Sequence, residues 1–341
     1  MDKILNQSSV REQKSAPLVT IAIPTYNRLN YLEESLKSAL SQAYKNIEVL
    51  VGDNSGGAEI GEWVAKAAMI NPRIRYQHNT HNLGMAGNWN ALADSAQGEF
   101  IAILGDDDRL TPHFVSSLIP MLTEGNVVAF CNQFVIDGLG RRLETESRDF
   151  TERYGRAILK SGRLESPVTA AWTNSIPISA SLIRTDLVRR LRFKEDLNTP
   201  ELEFFVRLAN EGHPFSFCEE YLAEYRVHPG SETAAGLKSE LLSKYLLDVP
   251  VSSQFEAHKK AALAPLLVNG VGRALLQKDR ALALQLWKSP YYPTRVRRTL
   301  RGALYWFALI SPAAFGIPLY CLAVWCRRKL TVRFKGKTAK P

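Results

Sequence analysis

Glu99-Phe-Ile-Ala-Ile-Leu-Gly-Asp-Asp-Asp-Arg-Leu-Thr-Pro112 joins an apolar run, Phe100 to Leu104, to three consecutive carboxylates, Asp106, Asp107 and Asp108. An apolar run this short between polar residues reads as a strand buried on both faces, which sets the carboxylates just outside the carboxyl edge of a sheet. Three adjacent like charges repel. They are tolerated there when fully solvated, as in an acidic turn, or when a divalent cation brings opposite charge.

The chain before this stretch repeats one unit. Val19 to Pro24 reads as a strand followed by the polar loop Thr25-Tyr-Asn-Arg28, then by a helix in which Asn30 and Glu33 form a capping pair and Leu32, Leu36 and Leu40 mark the buried face. Ile47 to Val51 is a second strand running into Gly52-Asp-Asn-Ser-Gly-Gly57, with a helix over Glu59 to Met69. A third short strand, Ile74 to Gln77, is followed by the loop His78 to Met85 and a helix to about Ala96. Strands alternating with helices imply right-handed crossovers and a largely parallel sheet, and such sheets bind ligands outside the carboxyl ends of their strands. Tyr26, Arg28, Asp53, Asn82, Gly84 and the three aspartates all fall on that rim. A guanidinium and backbone amides suit phosphate, a carboxylate suits the donors of a base or ribose, and a cation on Asp106 to Asp108 would bridge the two. The implied ligand is a nucleoside diphosphate with a divalent cation. Neither GxxxxGK[ST] nor GxGxxG occurs, which disfavours the P-loop and dinucleotide modes.

Composition bounds the rest. A chain of 341 residues with 45% hydrophobic content is long enough for one large domain and an appendage. The net charge of +9 is local: residues 295–341 hold eleven Lys and Arg and no acid, which leaves −2 for everything before Arg295. That distribution argues against nucleic acid as a partner of the body. Cys131, Cys218, Cys321 and Cys326 show neither metal-ligand spacing nor disulfide density, which fits a reducing compartment. Met1 to Pro17 is polar without an apolar core and reads as a flexible arm, not a secretory signal.

The motifs Val19-Thr-Ile-Ala-Ile-Pro-Thr-Tyr-Asn-Arg28, Val51-Gly-Asp-Asn-Ser55, Asn79-Thr-His-Asn-Leu-Gly84 with Asn88, and Gly105-Asp-Asp-Asp108 with Pro112 resemble, in order, those of the family 2 glycosyltransferases, inverting enzymes of the GT-A fold. The resemblance implies an α/β GT-A domain over residues 18–235 with a mostly parallel central sheet, and a transferase that moves a sugar from a nucleotide-sugar donor, most often UDP-linked, to a hydroxyl acceptor. It implies that Pro24, Tyr26, Arg28 and Asp53 line the nucleotide pocket, with Asn82, Gly84 and Asn88 on the same wall. Asp106 and Asp107, with Asp108 beside them, would meet the ribose and Mg2+ or Mn2+. Gly105 stands where the commonest motif has Asp, which leaves open which two of the triplet face the cation. Trp172 to Arg184, with Ser179, Ser181 and Arg184, is similar to the acceptor-side segment. In Thr199-Pro-Glu-Leu-Glu203 the catalytic base is expected at Glu201, where the family commonly has Asp, with Glu203 as competitor. Arg226 and His228 in Tyr225-Arg-Val-His-Pro-Gly230 would approach the diphosphate. A nucleotidyltransferase is the first rival, although the loop after strand one offers only Arg28 as a base; a non-catalytic nucleotide-binding scaffold is the second.

Residues 236–294 read as a helical region. Gly302 to Cys326 is uncharged for twenty-five residues between Arg295, Arg297, Arg298 and Arg301 on one side and Arg327, Arg328 and Lys329 on the other. Its length makes it a membrane candidate. Pro312 and Pro318 divide it, and two basic flanks suit a bent or interfacial element better than one span. The expectation is that residues 295–341 bind the cytoplasmic face of the cell membrane and bring the enzyme to a glycan or lipid-linked acceptor.

Overall fold

The computed structural model describes residues 16–230 and 236–335, with side chains to Trp325. The expected arm over residues 1–17 lies almost wholly outside the described residues, as do Ser231 and the side chains of Arg327 to Lys329.

β1 (Val19–Thr25) pairs in parallel with β2 (Ile47–Asp53) and β4 (Phe100–Ile103), and β2 pairs in parallel with β3 (Ile74–His78). Every residue of β2 and β4 is buried, because helices cover both faces of this half of the sheet. The two-residue period divides the side chains between two cores. Ile21, Ile23 and Val51 meet Leu32 and Leu36 on one face. Ala22 and Leu50 meet Trp89 and Leu92 on the other. The first helix spans Leu29–Leu40 and starts after Arg28 without a side-chain cap, so Asn30 and Glu33 do not form the expected capping pair.

Beyond β4 the parallel pattern stops. The remaining strands are β5 (Arg109–Leu110), β6 (Val128–Ile136), β7 (Arg142–Leu143), β8 (Gly162–Arg163), β9 (Ser181–Arg184) and β10 (Phe215–Arg226). The sheet runs β3-β2-β1-β4-β9-β6-β10-β5, with β7 on β6 and β8 on β10. β9 lies between β4 and β6 and is antiparallel to both, whereas β6 and β10 are parallel. The sheet is therefore mixed, which corrects the expectation of a mostly parallel one. The four residues of β9 are too few to carry a periodic signal, and their partners are set only by tertiary pairing.

Helices Ser239–Asp248, Glu256–Leu276 and Arg280–Lys288 occupy the region read as helical. Their buried Leu246, Leu267, Leu275 and Leu286 belong to the same core as Trp89 and Phe204. The uncharged stretch after Arg301 is broken at Ser311 and Pro312 into helices Leu300–Ile310 and Ala313–Lys335. These fold back on each other, with the Tyr305 and Tyr320 rings 5.6 Å apart. Tyr305, Leu309, Ile317 and Tyr320 are buried in the main core, so part of this apolar stretch is taken up by the protein's own interior. Among the described residues no helix is long and apolar enough to cross a membrane. Trp306, Phe307, Phe315 and Leu319 remain exposed on the outer face of the pair.

Candidate active site

The carboxyl edge of the sheet opens into a cleft of about 530 Å³. Pro24, Tyr26 and Arg28 enter it from the end of β1, and Asn82, Gly84 and Asn88 from the loop and helix after β3. The aspartate triplet enters after β4, and Glu201 from the start of the Pro200–Asn210 helix. Loops that are distant in sequence therefore do converge. Asn82 Oδ1 accepts from the Gly84 N–H at 2.8 Å in a tight turn that Gly84, at φ +73°, can adopt without strain. Asn88 donates to the Gly52 carbonyl at 2.8 Å and accepts from Asn79 at 3.0 Å. Asn79 also donates to Asn54 at 2.9 Å, so three amides knit this wall together.

Asp53 does not line the cleft. It is fully buried, and its oxygens accept from the Ser55 N–H at 2.7 Å and the Tyr76 hydroxyl at 2.8 Å. The carboxylate expected to read the base thus sits behind the wall and fixes the loop after β2.

The three aspartates do not point at one place. Asp106 is fully buried; its Oδ2 accepts from the Thr25 hydroxyl at 2.8 Å and from Arg28 Nε at 3.3 Å. Arg28 Nη1 reaches Asp107 Oδ2 at 2.8 Å, so one guanidinium bridges two carboxylates. Asp108 turns the other way, with Oδ1 accepting the Arg226 N–H at 2.9 Å. Burial pushes Asp106 up to about 6 against the pull of Arg28, and burial reinforced by Asp107 pushes Asp108 well above the usual carboxylate range. A Cβ at position 105 would lie 2.9 Å from Asp107 Oδ1 and 3.2 Å from Asp108 Oδ2, so a larger residue there would displace these two carboxylates.

Among the described residues no three His, Cys, Asp or Glu side chains converge as a cation cage. Asp106 and Asp108 are held apart by separate donors. One contact still fits a divalent ion. Asp107 Oδ2 and His228 Nε2 lie 3.0 Å apart, an oxygen and an imidazole of the kinds that Mn2+ or Mg2+ accept, whereas Asp106 Oδ1 already faces Arg28 Nη2 at 2.5 Å. The other ligands would come from phosphate oxygens and water.

Arg226 lines the cleft, but its guanidinium is already committed to protein acceptors. Its guanidinium is buried and donates to the carbonyl of Asp107 at 2.7 Å, to Glu34 at 2.7 Å and to the carbonyls of Asp137 and Gly138. Glu34 also meets Arg109, which pairs with Glu224, so an ion-pair network braces the aspartate turn from behind. Ser179 lines the cleft, where its hydroxyl accepts from Gln133 at 3.0 Å, whereas Arg184 is on the surface with Asp186. Ser181 is buried and donates to the Pro177 carbonyl.

The two candidate bases separate clearly. Glu203 is buried and accepts from Arg207 Nε at 2.6 Å and Nη2 at 2.9 Å, and it does not line the cleft. Glu201 does line it and has no cationic partner among the described residues. Desolvation pushes its carboxyl up to about 7, opposed only by its own backbone N–H. A carboxyl poised near neutrality in a cleft is suited to accept a proton.

Sequence reading missed Asn54, Asn174 and Arg156, all on the cleft wall. Asn54 adjoins Asp53 in the Val51–Ser55 motif, and that adjacency is its signal in the sequence. Arg156 lies in the irregular segment between β7 and β8, where nothing in the local pattern marks it.

The family described as Glycosyl transferase family 2 matches residues 20–182. An uncharacterised glycosyltransferase of Rickettsia typhi is 32% identical over 233 residues, 67% of this chain and 70% of that protein. The GalNAc(5)-diNAcBac-PP-undecaprenol beta-1,3-glucosyltransferase of Campylobacter jejuni is 27% identical over 233 residues, 67% of this chain and 71% of that one. The structure of S. aureus TarS residues 1–349 with UDP-GlcNAc superposes with a TM-score of 0.60 at 18% identity, covering 89% of each chain. The chain belongs to the family 2 glycosyltransferases and has their GT-A-like α/β fold.

Proposed function

We propose that this glycosyltransferase moves a sugar from a nucleoside diphosphate donor to a hydroxyl of a lipid-linked or growing glycan, in one displacement with inversion. The observation that carries this reading is the unpaired, desolvated Glu201 in the same cleft as the Arg28–Asp107 pole. Glu201 takes the proton of the acceptor hydroxyl as that oxygen attacks the sugar carbon. Arg28 faces the diphosphate, with the Asn82–Gly84 turn on the same wall, while Tyr26 and Pro24 bound the nucleotide. Asp107 and His228 would hold Mg2+ or Mn2+, which supplies charge neutralisation for the leaving diphosphate. Arg226, tied to the Asp107 carbonyl, positions this turn.

The C. jejuni relative is named for a diphosphoundecaprenol-linked acceptor, which supports a lipid-linked glycan for this chain. The exposed Trp306, Phe307, Phe315 and Leu319, close in sequence to exposed Arg295 and Arg298, would rest on the anionic cytoplasmic face of a membrane. A nucleotidyltransferase is disfavoured, because Arg28 alone supplies positive charge in the loop after β1.

The test is incubation of purified protein with a panel of UDP-, GDP- and dTDP-sugars, with Mg2+, Mn2+ or chelator. Slow, metal-dependent release of nucleoside diphosphate from one donor is expected. Release of pyrophosphate from a nucleoside triphosphate and a sugar phosphate, or no release from any donor, would overturn the reading.

A further inference from the structure

Arg156 and Arg226 are both fully buried in this protein, and they are treated differently. Arg226 meets Glu34 and three carbonyls. Arg156 has no carboxylate partner among the described residues. Its Nε donates to Asn132 Oδ1 at 3.2 Å and its Nη1 to the Ser175 carbonyl at 3.3 Å, both long, and its Nη2 is buried with no acceptor. The rings of Phe150 and Tyr154 lie 5.6 Å from its Cζ. Aromatic faces attract a cation weakly and shield it from water, but they carry no net negative charge. Burial draws the guanidinium down to about 10, which leaves it charged at neutral pH. A buried cation without an anion is a standing cost to the fold.

Sheet order says what could meet it. The nucleotide wall hangs from β1, β2 and β3, and the aspartate triplet follows β4. Arg156 is held instead by Asn132 on β6 and by Ser175, just before β9, so it lies over the half of the sheet beyond the triplet. It lines the cleft there with Phe150, Tyr154 and Asn174. We infer that Arg156 is the anchor of a subsite for an anionic group, a carboxylate or phosphate, carried by a sugar that occupies the cleft past the diphosphate. The inference rests on the glycosyl-transfer reading and adds a charge class to its substrate. A guanidinium with a free Nη2 matches an oxyanion in charge and geometry, and aromatic side chains beside it give a sugar ring an apolar face.

The experiment compares wild type with Arg156→Met and Arg156→Lys in two arms. The donor arm measures binding and hydrolysis of UDP-glucuronate against UDP-glucose. The acceptor arm measures binding of methyl β-glucuronide and glucose 6-phosphate against methyl β-glucoside, by calorimetry in the presence of UDP. In one arm the wild type should favour the anionic ligand by about tenfold or more, Arg156→Met should erase that preference while changing the neutral ligand by no more than about threefold, and Arg156→Lys should keep part of it. The arm that responds identifies the source of the anion. Arg156→Met should also melt at or above the wild-type temperature, since it removes an uncompensated buried charge. Equal affinity for charged and neutral ligands in both arms would overturn the inference. So would an Arg156→Met protein that melts well below wild type and loses both ligand classes alike, the mark of a structural arginine. Because the binding arms need no turnover, a failure to hydrolyse any donor counts against the transferase reading and leaves the subsite result standing.

Discussion

Replacing Glu201 by Gln removes one proton-accepting group and keeps the shape of the side chain, so its consequences can be worked out in both stability and rate. In the folded protein this carboxyl titrates at about 7, against an ordinary value of 4.5. The folded state therefore binds the proton more tightly than the unfolded one. Below pH 4.5 both states hold it and the group is neutral to stability. As pH rises toward 7 the unfolded chain releases the proton first, and stability is progressively lost. Above 7 the loss levels off at an upper figure of about 3 kcal/mol, from a shift of roughly 2.5 pKa units at 1.36 kcal/mol each. Gln carries no such penalty. Glu201→Gln should match wild type in melting temperature at pH 4 and exceed it by up to about 5 °C at pH 8, given the unfolding entropy of a chain this long. Transfer should fall by about 10²–10⁴ in the same variant, and wild-type kcat/KM should rise through a midpoint near 7. Scanning calorimetry at several pH values, paired with a diphosphate-release assay, reads both. A variant that melts lower than wild type at pH 8 would show that Glu201 is not desolvated, and one that keeps most of its transfer rate would show that it is not the base.

Glu203→Ala should do the reverse, leaving Arg207 without its buried partner at a cost of about 3 kcal/mol, so that melting falls by roughly 5 °C while kcat per folded molecule changes little. Calorimetry and active-site titration with donor measure the two separately. Asp107→Ala should reduce metal-stimulated diphosphate release by about 10²-fold or more and abolish the difference between Mn2+ and chelator, because Asp106 and Asp108 are buried and already hold other donors; near-normal activity would remove the diphosphate pole from the reading. Replacing both Arg295 and Arg298 by Gln should weaken sedimentation with phosphatidylglycerol vesicles by about 2 kcal/mol, or roughly thirtyfold, and leave binding to neutral vesicles unchanged. Unchanged sedimentation with anionic vesicles would leave the exposed apolar face of the last two helices without a lipid role.

The legible parts of this molecule are those whose physics is local. β1, β2 and β4 are apolar runs because both their faces are covered, and the loops that follow them are polar because they leave the sheet at one edge. Reading those runs is enough to gather Arg28, Asn82, Asn88 and the aspartates on one rim. The antiparallel β9 is not legible, since four residues of strand acquire a direction only from β4 and β6. The interior of the last two helices is not legible for a related reason: a long uncharged run suits a bilayer or a protein core equally, and the turn at Ser311 and Pro312 lets Tyr305 and Tyr320 choose the core.

Charge pairing is the least legible of all, and it bears most on mechanism. Arg28 and Asp106 are 78 residues apart, and Arg226 and Asp108 are 118 apart. A sequence displays the charges but not their partners. Three carboxylates in a row call for opposite charge, and a cation is one solution. Arg28 is another, and it bridges two of the three. The two solutions are compatible in sequence but compete in space at Asp107 Oδ2, which already faces both Arg28 and His228. A diphosphate entering the cleft would change that balance: its negative oxygens attract the guanidinium, and as Arg28 swings away from Asp107 an oxygen is freed for the ion that accompanies the diphosphate. On this reasoning Arg28→Lys, which keeps the charge and loses the bidentate geometry, should leave some donor binding but weaken the coupling between metal and nucleotide. Mn2+ affinity measured with and without UDP would report it directly. The enhancement by UDP should shrink in the variant, and an enhancement equal to wild type would mean that Arg28 and the metal do not share Asp107.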